Sequence, residues 1–410
     1  MLAILNKYMK GDRVIWGVVI ILSIFSILAV YSSTGMLAFK FQQGNTTHYI
    51  IRHLSFMLIG FAMIFITSHL PYQMFSKVGQ LLWIVAIPVL CLTLVLGTSL
   101  NSAARWLTVP GLGITVQTSD FAKLAIILYV ARMLSMHQED IKDFKNTFLR
   151  IIIPVGIICI LILPANFSTA ALLMSVCMIL MFIGRIRIRH LSLVFVAAIV
   201  MFGVFILIAP LIHMDGRVKT WKHRIENFSS KDNDEDNFQS EQAKIAIVTG
   251  GVIGKGPGNS TQRNFLPHPY SDFIYAIIIE EYGIWGGILV LFLYLYLFFR
   301  AGVIVRRCDR TFPAFLVIGL TLMLMFQALI NMAVAVNLLP VTGQPLPLLS
   351  MGGTSIFFNC IAVGMILSVS RSVIEAKEKE KADKAAAKED AAKENNQESE
   401  TILQPEAING

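Results

Sequence analysis

Apolar residues along this chain fall into long, nearly unbroken runs instead of the alternating or three-to-four spacing of a soluble core. A run of 18 or more reads as a bilayer-spanning helix, because about 20 residues at ~1.5 Å rise cover a hydrocarbon core of ~30 Å. Such runs lie near 14–34, 49–69, 79–98, 118–135, 149–165, 168–185, 190–212, 272–299, 312–335 and 351–370. The pattern predicts an all-α polytopic membrane protein with about ten transmembrane helices. The first run is too long for a signal-peptide core and lacks a small-residue cleavage site, so it is expected to stay as an anchor.

Polar segments organise the rest into a membrane domain over 1–375 and a tail over 376–410. Between spans 7 and 8 lies a large loop, 213–271. Its first part, "DGRVKTWKHRIENFSSKDNDEDNFQS", is charged. Its second part holds "QAKIAIVTG", whose helical pattern suits a segment lying along the membrane surface, and then a Gly-rich turn region. Structureless loops this long are unusual and tend to be functional. The segment 337–355, "NLLPVTGQPLPLLSMGGTS", has three prolines and three glycines, which forbid a regular helix, yet it is not polar. Such backbone at membrane depth is tolerated only where protein or a wet cavity satisfies it. The tail is rich in Lys, Glu and Ala without an apolar stripe and is expected to be disordered or only transiently helical.

Charge adds an orientation. Lys77, Arg132, Lys142, Lys145, Arg150, Arg185, Arg187, Arg189, Arg300, Arg306, Arg307 and Arg310 share one side with Lys7, Lys10 and Arg13; the short loops opposite hold Lys40 and Arg105. The positive-inside rule makes both termini cytoplasmic and the 213–271 loop external, since long loops translocate largely regardless of charge. The net charge of +8 follows mostly from this asymmetry. No aromatic-interleaved basic patch supports nucleic-acid binding. The five cysteines avoid the large loop, so no disulfide framework or metal-binding Cys cluster is available.

Candidate chemistry gathers in "HPYSDFIYAIIIEEYG", 268–283. Asp272 reads either as a helix cap or as a base or cation ligand at the water–membrane boundary. Ionisable groups within a span mark function by default, which draws attention to Glu280 and Glu281. At ~100° per residue Glu280 lies ~80° round the helix from Asp272 and roughly 12 Å deeper, so it could line the same cavity; Glu281 lies about 180° away. That depth is too great for a carboxylate pair flanking one glycosidic bond, which needs about 5–9.5 Å. For Glu281 a buried ion pair or hydrogen bond between helices is the favoured reading. Asp120 and Lys123, one turn apart, form either a neutralising pair or a lysine that faces an anionic ligand with its orienting acid. Arg105 and Trp106 could support an anionic headgroup, and Arg52 could snorkel. "GGVIGKGPGNSTQ" fails the Walker spacing because Gly256 follows Lys255, and fails GxGxxG because Asn259 holds the last Gly position. Its glycines form turns or offer backbone N–H groups to a pyrophosphate.

Taken together, "RWL" at 105–107, "QTSDFAKL" at 117–124, "GKGPGNSTQ" at 254–262, "HPYSDFIYAIIIEEYG" and "LLPVTGQPLPLLSMGGTS" resemble the SEDS family, the FtsW, RodA and SpoVE proteins of bacterial cell-wall synthesis. The resemblance runs from about residue 10 to 370. Asp120 stands where the family has Glu, Asn166 where it has Asp, and Met351 where it has Tyr. "PVTG" leans toward RodA, whereas the remaining wording is more similar to the FtsW branch of Bacteroidetes-type bacteria.

The resemblance implies a peptidoglycan glycosyltransferase of the bacterial inner membrane that polymerises lipid II, with Asp272 in the place of the essential acid. A polyprenyl diphosphate leaving group needs no proton, so one general base suffices, while Arg105, Lys123, Arg217, Arg224 and Lys255 are candidates to meet its charge. A divalent cation, Mg2+ or Mn2+, is another source of that charge. The same motifs imply substrate contacts at Asp120, Asn259, Ser260, Gln262, His268, Glu280, Ser350, Gly352 and Gly353. Implied partners are a class B penicillin-binding protein, other divisome membrane proteins and membrane lipid. The rival readings are a flippase for the same lipid-linked precursor and a scaffold.

Overall fold

The computed structural model describes residues 9–35, 37, 39, 45–100, 103–108, 115–208 and 235–402. Its helices are α1 (Arg13–Ser33), α2 (Thr46–His69), α3 (Tyr72–Leu96), α4 (Thr118–Met136), α5 (Leu149–Ile162), α6 (Phe167–Ile183), α7 (Ile188–Ile208), α8 (Glu235–Gly250), α9 (Ile274–Val305), α10 (Thr311–Ala335) and α11 (Ser355–Ile402). Each expected span overlaps one of these helices. Seven segments among the described residues are long and apolar enough to cross a membrane by length and composition, and α6 and the 188–201 part of α7 are shorter apolar helices. Large side chains such as Leu58, Leu81 and Phe195 face outward. Water would penalise that surface, and a bilayer accepts it.

Local chemistry starts several helices. Asp12 caps α1 by accepting from the Val14 N–H at 2.8 Å. Asn166 caps α6 by accepting from the Thr169 N–H at 3.2 Å. Asn and Asp cap about equally well, so the uncharged residue at 166 performs this role without loss. The centre of the bundle is α4, buried continuously from Ala122 to Ala131 between α3 and α10.

Three features add to the expectations. First, the all-α membrane fold carries one small sheet. The α3–α4 connection carries β1 (Thr98–Leu100), β2 (Ala103–Thr108) and β3 (Thr115–Gln117) in an antiparallel sheet, with Trp106 opposite Gln117 and Thr108 opposite Thr115.

Second, the helix of the eighth expected span is broken. Helix α9 breaks at Gly283 (φ 70°, ψ −172°), and residues 274–281 before the break are enclosed by protein. Outward-facing Ile284, Trp285, Ile288, Leu289, Phe292 and Phe299 all follow it. The stretch 284–305 is about 33 Å long at ~1.5 Å per residue, enough to span a bilayer alone. Glu280 and Glu281 therefore sit at the rim of the lipid-facing zone and not deep within it.

Third, the charged tail continues α11 as a helix to Ile402. Ala, Lys and Glu are strong helix formers, and pairs such as Glu380–Lys384 (2.5 Å) follow the helical spacing. Of the two expectations for the tail, the helical one matches residues 376–402 here.

Candidate active site

Asp272 ends a turn in which its N–H and that of Ser271 both donate to the His268 carbonyl, each at 3.2 Å. The residue at the N-cap of α9 is Phe273, which makes no side-chain cap bond. Asp272 is thus not a capping residue, and its carboxylate is left for other uses. One carboxylate oxygen, Oδ1, accepts from the Ser271 hydroxyl at 2.8 Å. Among the described residues no donor reaches Oδ2, and the residue is partly exposed.

The turn is held from behind through its main chain. Asn331 Nδ2 donates to the Asp272 carbonyl at 2.9 Å and to the Gln344 carbonyl at 2.8 Å. The Ser350 hydroxyl donates to the Ser271 carbonyl at 2.6 Å and accepts from the Leu346 N–H at 2.8 Å. The Met351 N–H donates to the Tyr270 carbonyl at 2.9 Å. Ser350 is buried and fully engaged, so it supports the turn and does not face a ligand. Gly352 lies against Pro345 and Ser355, and Gly353 adopts φ +56°; both shape the chain entering α11.

The irregular 337–355 segment is the common support. Leu348, a buried non-glycine residue, has φ 64°, strain of a kind that persists only where surroundings over-determine it. Those surroundings are specific. Ser26 donates to the Leu349 carbonyl at 2.7 Å, Tyr294 to the Pro347 carbonyl, and Gln327 to the Pro345 carbonyl at 3.0 Å. Thr354 joins the segment to β3, accepting from the Gln117 N–H at 3.1 Å.

Asp120 and Lys123 meet the same support. Lys123 Nζ lies 2.7 Å from Asp120 Oδ1 and donates to Gln327 Oε1 at 3.1 Å, with side chains only 3% and 5% exposed for Lys123 and Asp120. Gln327 and Asn331 stand one turn apart on α10, so their Cβ atoms are about 5–6 Å apart. The buried ion pair and the Asp272 turn therefore lean on one face of one helix. Lys123 is enclosed here and does not present its ammonium at the surface.

The Gly-rich loop proves to be a clamp on α9. The Lys255 N–H donates to the Glu280 carbonyl and the Gly256 N–H to the Glu281 carbonyl, both at 2.9 Å; the Ile284 N–H donates to the Gly251 carbonyl at 3.0 Å. These are the backbone groups that the helix break at Gly283 would otherwise orphan. Backbones approach so closely that a Cβ at Gly283 would lie 2.2 Å from the Val252 carbonyl oxygen.

The loop does cradle an oxyanion, but the oxyanion is Glu280. Its carboxylate, 0% exposed, pairs with Lys255 Nζ at 2.6 Å and accepts from Ser260 Oγ, the Thr261 N–H (3.1 Å), Thr261 Oγ1 (2.9 Å) and the Gln262 N–H. Asn259 closes the loop on the Lys255 carbonyl at 3.1 Å. Lys255, Ser260 and Glu280 thus bond to one another here, while the Asn259 side chain stays exposed and Gln262 Oε1 has no partner among the described residues. Glu281 accepts from Ser32 of α1 and from the Ser260 N–H at 3.3 Å, and Arg263 donates to the Ser32 carbonyl at 3.0 Å. This agrees with the helix-bridging role expected of Glu281.

Of the other expected residues, His268 supplies its carbonyl to the turn and sets its exposed ring edge-on to Tyr270. Arg105 lies on β2, where its backbone alone is described, and Arg217 and Arg224 fall outside the described residues.

One cation carries more weight than its sequence position suggested. Burial pushes the Tyr270 phenol above its ordinary range, the Asp272 carboxylate and Tyr49 add to the effect, and Arg52 opposes it. Arg52 and Tyr49 of α2 are thus electrostatic neighbours of the Asp272 turn. The supports Gln327 and Asn331 were also missed; their signal was two amides at (i, i+4) within an otherwise apolar run.

Comparison with known proteins bears on this arrangement. A family model described as "Cell cycle protein" and labelled FTSW_RODA_SPOVE matches residues 12–375. A probable peptidoglycan glycosyltransferase FtsW of Coxiella burnetii is 31% identical over 366 residues, covering 87% of this chain and 95% of its own. Stage V sporulation protein E of Bacillus subtilis is 31% identical over 376 residues, covering 89% and 98%. The rod shape determining protein RodA of Thermus thermophilus has a similar fold, with a TM-score of 0.63 at 20% identity over 89% of this chain and 98% of that one. So does a chain from a peptidoglycan synthase complex, with a TM-score of 0.65 at 21% identity over 88% and 98%.

Proposed function

Because the chain belongs to the FtsW, RodA and SpoVE family, we propose that it is a peptidoglycan glycosyltransferase polymerising lipid II with Asp272 as general base. One observation carries the assignment of the base. Among the described residues, Asp272 is the one of Asp120, Asp272, Glu280 and Glu281 that is partly exposed and has a carboxylate oxygen with no donor; the free oxygens of Asp120 and Glu281 are sealed.

In this reading the acceptor hydroxyl gives its proton to Asp272 Oδ2 as its oxygen attacks the anomeric carbon of the donor. The bond from that carbon to the diphosphate breaks, and the electron pair leaves with the polyprenyl diphosphate. No acid is needed at the leaving group, whereas positive charge is. Arg52 and Arg105 are the cations we assign to it, with Arg217 and Arg224 as further candidates from the sequence. Lys123 and Asp120 act beneath them as the buried support of the turn. Among the described residues no three His, Cys, Asp or Glu side chains gather around one point, so a Mg2+ or Mn2+ here would be held by Asp272 together with the diphosphate oxygens of the substrate.

The charge asymmetry supports an orientation in which both termini are cytoplasmic and Asp272 faces outward, in the inner membrane of a bacterium. The FtsW relatives favour septal synthesis over elongation. The likeness to a chain of a peptidoglycan synthase complex favours a class B penicillin-binding protein as partner, alongside other divisome membrane proteins. The deciding assay is purified chain plus partner with labelled lipid II. Asp272→Ala is expected to insert and bind the partner yet make no polymer. Polymer from that variant would defeat the base assignment. A wild-type protein that only moved lipid II between leaflets would be a flippase.

A further inference from the structure

At the end of the bundle opposite Asp272, the start of α1, the last turns of α9 and the middle of α11 enclose a cleft of about 370 Å3. Its wall is built and not incidental. Gly11 adopts φ +94°, and a Cβ there would lie 2.7 Å from the Leu367 carbonyl oxygen, so the chain entering α1 packs directly on α11. Trp16 Nε1 fixes that chain by donating to the Lys10 carbonyl at 3.1 Å. Asp12 is committed twice, capping α1 and pairing with Arg300 Nε at 2.6 Å.

What remains in the cleft is positive. Arg13 and Arg307 are exposed and pair with no acid among the described residues, and Arg300 spends only its Nε on Asp12. One acid therefore faces three guanidinium groups. The rest of the lining is largely apolar, with buried Ile304 between Arg300 and Arg307 and exposed Ile374 on α11. Lipid-facing Leu295, Phe298 and Phe299 run along α9 to the point where Arg300 begins the charged end. A ligand that fits carries an anion at one end and a hydrocarbon chain at the other.

We propose that this cleft binds the phosphodiester headgroup of an anionic phospholipid in the leaflet at that end of the bundle. Guanidinium groups suit phosphate because their planar forks donate paired hydrogen bonds. The polymerase site cannot be the same place, since the ~33 Å membrane stretch of α9 separates the two. A free phosphate would satisfy the arginines but gain nothing from the apolar wall, which is why the lipid is the favoured source.

Native mass spectrometry of the full chain, released from detergent with phosphatidylglycerol or phosphatidylcholine, tests the proposal. The wild type is expected to retain phosphatidylglycerol in preference to phosphatidylcholine. Arg13→Gln with Arg307→Gln should weaken that retention about 10-fold or more, from the loss of two cations near an anionic lipid. Arg187→Gln with Arg189→Gln, a charge-matched change on exposed residues at the same end, should leave it within about 2-fold, because these arginines lie outside the cleft. Arg13→Lys with Arg307→Lys, which keeps both charges, should retain most of it. Equal loss in the cleft and control pairs would mean diffuse surface charge and overturn the site. No lipid preference in the wild type, or displacement of phosphatidylglycerol by millimolar inorganic phosphate, would overturn it as well.

Discussion

Replacing Lys123 by Met tests how far the membrane core supports the site. Met fills similar space, so the change removes a charge without opening a large cavity. The ammonium lies 2.7 Å from Asp120 Oδ1 and 3.1 Å from Gln327 Oε1. Asp120 Oδ2 already lacks a partner, so the variant would strand a whole carboxylate in the bundle. Breaking a buried pair from one side costs about 3–5 kcal/mol, whereas removing both charges is often near neutral. In Asp120→Leu/Lys123→Met the group left orphaned is Gln327 Oε1, at about 1–3 kcal/mol. Thermal melting of the detergent-solubilised protein should therefore rank wild type above the double variant, and the double variant above Lys123→Met. Single-variant melting equal to wild type, or a double variant no better than the single, would refute the reasoning. Lipid II polymerisation measured below both melting points adds a functional reading. A folded double variant that still makes polymer would limit the pair to support; one that makes none would give its charge a part in the reaction.

Other perturbations address the remaining supports. Glu280→Leu would leave the buried donors of Ser260 and Gln262 without their acceptor, each at about 1–3 kcal/mol, and the solvent-reached Lys255 and Thr261 at less; melting should drop by more than for Glu280→Gln, and equal melting would refute the clamp. Gly283→Ala places a Cβ 2.2 Å from the Val252 carbonyl oxygen in a backbone region essentially reserved for glycine, so a cost above about 1–3 kcal/mol is expected in the same melt. Asn331→Leu releases the Asp272 and Gln344 carbonyls. The turn should loosen while the bundle stays folded, lowering kcat more than it raises KM in the polymerisation assay, and a change confined to KM would contradict a positioning role.

Much of this architecture was legible because the bilayer imposes a coarse code. Runs of apolar residues marked the spans, and the prolines and glycines of 337–355 marked irregular backbone that protein had to satisfy. Detail was lost where a short signal competed with a long one. "ARWLT" and "TVQ" are too brief to outvote neighbouring helices, so β2 and β3 went unseen. "EEYGIWGG" reads as continuous helix because one glycine costs a helix only about 1 kcal/mol; nothing local shows that the 251–256 backbone will occupy the gap at Gly283. The same long-range partner decided Glu280. Helical spacing put it on the cavity side, but the Lys255 loop, some 20 residues upstream in sequence, claims its carboxylate.

The contrast between Glu280 and Asp272 states what this site requires of an acid. A carboxylate organises backbone by filling its lone pairs with donors, as Glu280 does with Lys255, Ser260, Thr261 and Gln262. An acid so used has no lone pair for a substrate proton. Asp272 is positioned the other way, through the carbonyls of Tyr270, Ser271 and Asp272, with one hydroxyl on its carboxylate. Asn331 and Ser350 can thus fix where the base stands without consuming it. The strained Leu348, the broken α9 and the Lys123 pair are then parts of one arrangement that moves the holding of the turn from its side chain to its main chain. It follows that the supports should respond to substitution as a group, with non-additive losses among Asn331, Ser350 and Gln327, while Oδ2 of Asp272 stays free in each.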